Sequence, residues 1–174
     1  MKKILKISIP VLLFALITFM GYKVISKIIH KREMAERMEP MQPFSYYTIK
    51  DKIFTQNDLK KDTATLFVYF NSDCDHCQSE ASQIQENIAK FKDCQLVFVS
   101  FENTNKIIEF AKKYKLDRYD NVVFLLDKRI TFSTNYIVTT FPTVLIYNED
   151  KRLIEEIKGP TKVETILKKL ENQN

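Results

Sequence analysis

Three patterns of apolar and polar residues divide the chain. From Ile7 to Tyr22 the sequence is uncharged and rich in Leu, Ile, Val and Phe, with lysines on both sides. Residues 30–43 are charged and end in Pro40 and Pro43, where a helix cannot continue. From residue 44 onward, short apolar runs alternate with amphipathic stretches, which predicts an α/β domain. Tyr46 to Phe54 reads as a hairpin turning at Lys50-Asp51-Lys52, and Asn57 to Lys61 as a brief helix. Leu66 to Phe70, apolar at consecutive positions, predicts a strand buried on both faces. A helix is expected over Asp75–Phe91 with Ile84, Ile88 and Phe91 inward, then a strand over Gln95–Phe101. Asn105–Tyr114 reads as the next helix and Val122–Leu126 as the third core strand. Thr143–Tyr147 and Leu153–Ile157 flank Asn148-Glu149-Asp150 and predict an antiparallel hairpin. Thr161 and Glu164 form a capping-box pattern that starts a last helix reaching Leu170.

The expected organisation is therefore a membrane anchor over 1–29, a juxtamembrane linker over 30–43 and one domain over 44–174. Sixteen residues from Ile7 to Tyr22 rise roughly 24 Å as a helix, slightly short of a bilayer core. Lys23 and Lys27 can snorkel and extend the span to Ile29. A cleaved secretory signal is the competing reading, but no small-x-small cleavage pattern follows the apolar stretch. Basic residues flank the span on both sides, so charge alone does not orient it. The domain is expected outside the membrane, partly because short N-terminal tails seldom cross; the family resemblance given below adds to this and implies a bacterial cytoplasmic membrane.

Charge distribution removes one function class. Of the net +5, residues 1–39 carry all: eight Lys/Arg against three Asp/Glu, leaving 19 of each over 40–174. The domain is neutral, and nucleic-acid binding loses its electrostatic footprint. Met34, Met38 and Met41 read as apolar packing rather than metal ligands.

The candidate chemistry is Cys74-Asp75-His76-Cys77, between the strand at 66–70 and the following helix. A cysteine in the first turn of a helix meets unpaired N–H groups and a dipole that favour its thiolate. The second cysteine, three residues on, shares the same helical face. His76, if protonated, lowers the Cys74 pKa, whereas Asp73 and Asp75 raise it by like-charge repulsion. Asp73 and Asp75 also read as a helix cap and a first-turn acid. Two acids against one partly protonated imidazole favour a mildly reducing couple. Cys94 reads as a packed thiol at a strand start. Two cysteines and His76 lack the second ligand pair of a structural zinc site.

The stretch from about 44 to 170 resembles the thioredoxin superfamily, and within it the membrane-anchored TlpA/ResA-like thiol-disulfide oxidoreductases. The resemblance is carried by Cys74-Asp-His-Cys77 after the central strand, Glu80 beyond it, and Phe141-Pro142-Thr143 before the final hairpin. It implies a three-layer α/β fold with a mixed central sheet. It also implies Cys74 as nucleophile, Cys77 as resolving cysteine, a redox-active Cys74–Cys77 disulfide, and Glu80 as proton acceptor. Phe141 and a cis Pro142 would line the substrate groove, and His76 would tune the dithiol. Val68 stands where thioredoxins carry a buried Asp, so the proton acceptor must be another group. The resemblance implies no cofactor and no metal. Its partners would be proteins bearing disulfides or thiols and an upstream thiol–disulfide electron donor or acceptor.

A competing class is a thioredoxin-fold metallochaperone or partner-docking module that holds Cu(I) on Cys74 and Cys77. Copper carriers of this fold usually have longer cysteine spacing and a distant His, and no His follows His76.

Overall fold

The computed structural model describes Thr18, Met20, Gly21 and residues 40–171. Among these residues no helix is long and apolar enough to cross a membrane. The expected transmembrane helix lies outside the described residues except at those three positions.

Among the described residues, seven strands form one mixed sheet. They are β1 (Ser45–Thr48), β2 (Ile53–Thr55), β3 (Ala64–Tyr69), β4 (Cys94–Ser100), β5 (Val122–Leu126), β6 (Thr143–Tyr147) and β7 (Leu153–Lys158). Their order is β2-β1-β5-β4-β3-β6-β7. The three inner strands β5, β4 and β3 run parallel, and the hairpins at either edge run antiparallel. β3 and β4 are buried at almost every position, as strands covered on both faces must be.

Among residues 40–171, three helices follow the inner strands, α1 (Asp75–Glu86), α2 (Thr104–Lys113) and α3 (Thr131–Asn135), and α4 (Val163–Glu171) follows the edge strand β7. One face of the sheet packs Leu66, Val68 and Phe98 against Ile84 of α1, Ile107 of α2 and Ile166 of α4. The other face packs Phe67, Tyr69 and Leu145 against Met41, Tyr46 and Phe54, and against Phe132 of α3. The result is the expected three-layer arrangement. Packing begins earlier than residue 44. Met41 is buried, its N–H donates to the Lys151 carbonyl at 2.9 Å, and the Gln42 carbonyl accepts from Tyr136 Oη.

Three elements differ from the sequence reading. The helix after the dithiol stops at Glu86 instead of Phe91, and a 3-10 turn over Ile88–Phe91 follows. Asn87 ends it: its side-chain amide donates to the Gln83 carbonyl at 3.0 Å and competes with the next helical turn. The brief helix is a 3-10 turn at Gln56–Asp58, moved forward by a Thr55–Asp58 capping box. The last helix starts at Val163, whose N–H is received by Gln83 Oε1 of α1 at 3.3 Å.

Residues 127–142, which carry no clear periodicity, fold around one buried acid. Asp127 accepts from Phe132 N at 2.6 Å, Arg129 N at 3.3 Å and Thr131 Oγ1 at 3.1 Å. It closes the turn that starts α3. Ile130 and Ile137 on either side both hold φ of 54°, a left-handed conformation that β-branched residues avoid. Such strain persists only where neighbours over-determine it, and Asp127 supplies that constraint for Ile130 by gripping residues 129, 131 and 132 around it. Asp127→Ala should therefore cost about 2–3 kcal/mol, the loss of a charged acceptor from buried donors. Urea unfolding of the variant against wild type measures it, and an unchanged midpoint would refute the role.

Candidate active site

Cys74 is the N-cap of α1, with extended φ −85° and ψ 116°. Its Sγ accepts from the Cys77 N–H at 3.4 Å. This corrects the reading of Asp73 as the cap: the first helical residue is Asp75, so the cap falls on the cysteine itself. The geometry follows from the strand ending at Tyr69 and the turn at 71–73, where Cys74 N–H donates to Asn71 O and Asp73 N–H to Asn71 Oδ1. A sulfur in this position faces unpaired helix N–H groups, the environment that stabilises a thiolate.

The two cysteines sit in different surroundings. Cys74 is half-buried, whereas Cys77 is 2 % exposed, and both are free thiols. Burial pushes the Cys77 thiol well above its ordinary range, and the hydrogen bond and charge shared with Cys74 push it the same way. Glu80 lies one helical turn further along and is also 2 % exposed. Neither of its carboxylate oxygens has a hydrogen-bond partner. Desolvation pushes its carboxyl up to about 8. Glu80 is one of the groups that raise Cys77 electrostatically, so the two sense each other in the interior. A solvated surface carboxylate is thereby excluded.

The Phe141–Pro142 peptide bond is cis. The Phe141 carbonyl accepts from Cys74 Sγ at 3.9 Å, which brings residues 67 positions apart to one place. The loop is held from both sides: Thr143 Oγ1 donates to Thr140 O at 2.8 Å, and Gly159 N–H donates to Pro142 O at 2.8 Å. Gly159 adopts φ of 79°, which glycine alone tolerates cheaply. The Phe141 ring lies 4.9 Å from Tyr69 and 5.9 Å from Phe101, which is 36 % exposed. An aromatic wall thus borders the half-buried thiol.

Val68 is buried on β3, so the position of the thioredoxin acid is apolar. His76 and Asp75 are exposed on the first turn of α1. Cys94 is buried at the start of β4, where burial pushes its thiol up to about 12. Its strand runs parallel to β3 in register with Ala64, at the opposite end from the dithiol. Among the described residues, no group of three or more His, Cys, Asp or Glu side chains could hold a metal ion.

Two residues beside the dithiol escaped the sequence reading. Glu102, just past β4, accepts from Ser72 N at 2.6 Å and Ser72 Oγ at 2.7 Å. Lys106, on the first turn of α2, pairs with both Glu102 and Asp73. Glu102 and Lys106 have the i,i+4 spacing of a helical pair, although Glu102 precedes the Asn103 cap of α2, and their contacts with the loop at 72–73 span some thirty residues and have no local signature.

A parallel βα core with antiparallel edge hairpins, a dithiol capping the helix after an inner strand and a cis X–Pro loop against that dithiol define a thioredoxin-like domain. The AhpC/TSA family model matches residues 38–156, most of the chain, and the chain belongs to the AhpC/TSA family. No curated protein matches it in sequence. Solved structures resemble it closely in fold. A thiol:disulfide interchange protein DsbE from Chlorobium tepidum aligns with TM-score 0.67 and 15% identity, covering 78% of this chain and 96% of that one. StoA from Bacillus subtilis aligns with TM-score 0.60 and 22% identity, covering 76% and 98%. Copper-bound ScoI from Arabidopsis thaliana aligns with TM-score 0.60 and 16% identity, covering 75% and 98%. At these identities the likeness establishes the fold alone, and it agrees with the thioredoxin-superfamily resemblance.

Proposed function

We propose that this protein is a thiol-disulfide oxidoreductase that acts on protein substrates through the Cys74–Cys77 couple. The observation that carries the reading is the asymmetry of the pair: a half-buried thiol capping a helix, and a buried thiol beside an unpartnered buried carboxylate. In the reducing direction the Cys74 thiolate attacks a substrate disulfide, forms a mixed disulfide and releases one substrate thiolate. Glu80 takes the Cys77 proton. The Cys77 thiolate then attacks Cys74 Sγ, closes the Cys74–Cys77 disulfide and expels the second substrate sulfur. Two electrons pass from the dithiol to the substrate. A carboxyl pushed up to about 8 suits this work, because an acceptor is most effective when its pKa lies near the working pH.

The Phe141 backbone offers an extended substrate an edge to pair with, and the ring wall of Phe101 and Phe141 offers it an apolar surface. The aligned Chlorobium tepidum structure carries the name of a thiol:disulfide interchange protein, which supports a thiol–disulfide reading. Insulin reduction by the full chain with a dithiol donor tests it. Turnover above the donor alone is the expected result; no turnover combined with tight Cu(I) binding would favour the metallochaperone reading instead.

The reading extends to location. Residues 1–29 anchor the chain in the bacterial cytoplasmic membrane, with the domain on the extracytoplasmic side and an electron partner in or near that membrane. Membrane-impermeant thiol labelling of intact cells should modify Cys74. Labelling only after lysis would overturn this placement.

A further inference from the structure

Ser72, two residues before Cys74, is held by every polar group it has. Its N–H and hydroxyl donate to the two oxygens of Glu102, at 2.6 and 2.7 Å, and its carbonyl accepts from Gln78 Nε2 at 2.9 Å. Gln78 in turn accepts from Lys113 Nζ of α2 at 3.2 Å. Glu102 is only 8 % exposed and also accepts from Ser100 Oγ. A buried carboxylate at the end of β4 thus grips the turn that presents the dithiol.

Lys106 joins this grip to the residue next to Cys74. Its Nζ donates to Asp73 Oδ2 and lies 3.5 Å from Glu102 Oε1. Asp73 is 73 % exposed, so the pair adds little to stability. Its consequence is electrostatic. The hydrogen bond to Asp73 holds the Lys106 ammonium above its ordinary range, so it stays charged at neutral pH. The charged and titratable groups round the motif are Asp73, Asp75, His76, Cys77 and Glu80 on its own segment, and Glu102, Lys106, Glu109 and Lys113 from the β4–α2 side. Lys113 bonds to Gln78, and Lys106 is the cation that pairs with the acid adjoining Cys74.

We propose that Lys106 is a positioning residue for the redox couple: by bridging Asp73 and Glu102 it pins the Ser72–Cys74 turn and cancels the acid adjoining Cys74, leaving the couple more oxidising than those acids would make it. The inference rests on the thiol–disulfide reading. Where Cys74 is ionised, a like charge beside it disfavours the reduced form, and a compensated one does not.

The test equilibrates full-length protein with a glutathione redox buffer, at a pH above the titration of Cys74, and measures the fraction of Cys74–Cys77 disulfide. Lys106→Met should move the equilibrium about three- to tenfold toward the disulfide, equivalent to about 15 to 30 mV more reducing. Lys106→Arg should restore the wild-type potential. Asp73→Asn alone, with Lys106 in place, should move it the opposite way. In the Asp73→Asn background the effect of Lys106→Met should shrink by more than half, since the carboxylate that holds the Lys106 ammonium beside the motif is gone. A Lys106→Met potential equal to wild type, or an undiminished shift in the Asp73→Asn background, would overturn the inference. If the wild-type chain forms no reversible disulfide, the thiol–disulfide reading falls and this inference with it. A measurable wild-type potential that Lys106 does not move overturns the inference alone.

Discussion

Cys74→Ser protein should reduce insulin no faster than the dithiol donor alone, whereas Cys77→Ala protein should accumulate as a mixed disulfide with its substrates. The two variants differ because the two sulfurs differ in their surroundings. Cys74 caps α1 with its Sγ toward the Cys77 N–H and is half-buried, so substrate can reach it. Cys77 is 2 % exposed, and its thiol is held well above the ordinary range by burial, so it cannot start an exchange with an outside disulfide. It can only finish one. Without it, the Cys74 mixed disulfide persists for want of an attacking sulfur. Non-reducing gels and mass spectrometry of trapped species check the outcome. Trapping by Cys74→Ser instead of Cys77→Ala would reverse the assignment of roles.

The second large effect concerns Glu80 and has two opposed parts. Glu80→Gln should slow resolution of the mixed disulfide on the order of 10²-fold, because the Cys77 proton loses its acceptor. Single-turnover decay of the mixed disulfide measures that step. The same substitution should stabilise the fold at alkaline pH. In the unfolded chain a Glu titrates near about 4.3, but in the folded protein burial pushes Glu80 up to about 8. Between these values the folded state holds a proton that the unfolded state has lost. Stability therefore falls as pH rises through that window, by about 1.4 kcal/mol per pH unit for this one group. Below the window both states are protonated and the cost vanishes; above it the cost is constant. Gln at this position should flatten the slope of wild-type stability against pH and raise the alkaline midpoint in urea. A variant that keeps the full slope would show that Glu80 is not the buried acid responsible.

Asp73 and Asp75 argue for a reducing couple when only their closeness to Cys74 in the chain is considered. The pairing of Asp73 with Lys106 removes half of that argument, since a paired acid repels a thiolate far less than a bare one.

Much of the domain was legible because its signals are local. Two-sided apolar runs marked β3, β4 and β5, and the Asn148–Asp150 turn marked the last hairpin. Cys74-x-x-Cys77 followed a strand, Glu80 lay one turn beyond, and a single X–Pro stood before β6. Patterns of this kind depend on the chain's own periodicity and need no knowledge of what packs on what. Even the error at Phe91 was local, since Asn87 has a side chain that can take a helical carbonyl.

What the tertiary structure decided are the properties set by burial and by distant partners. A glutamate on a helix can be solvated or desolvated, and only packing against the β3–β4 sheet makes Glu80 a buried acid without a partner. Asp127 reads as an ordinary loop acid until three donors close on it. Glu102 and Lys106 look like a surface helical pair, yet they clamp a turn thirty residues away. The sequence alone determined that this chain carries a dithiol at a helix start, because strand, turn and helix are encoded within a few residues. Which sulfur is exposed, which acid shares the interior with the other and which cation stands beside them depend on contacts between segments far apart in the chain, and those exist only once it has folded.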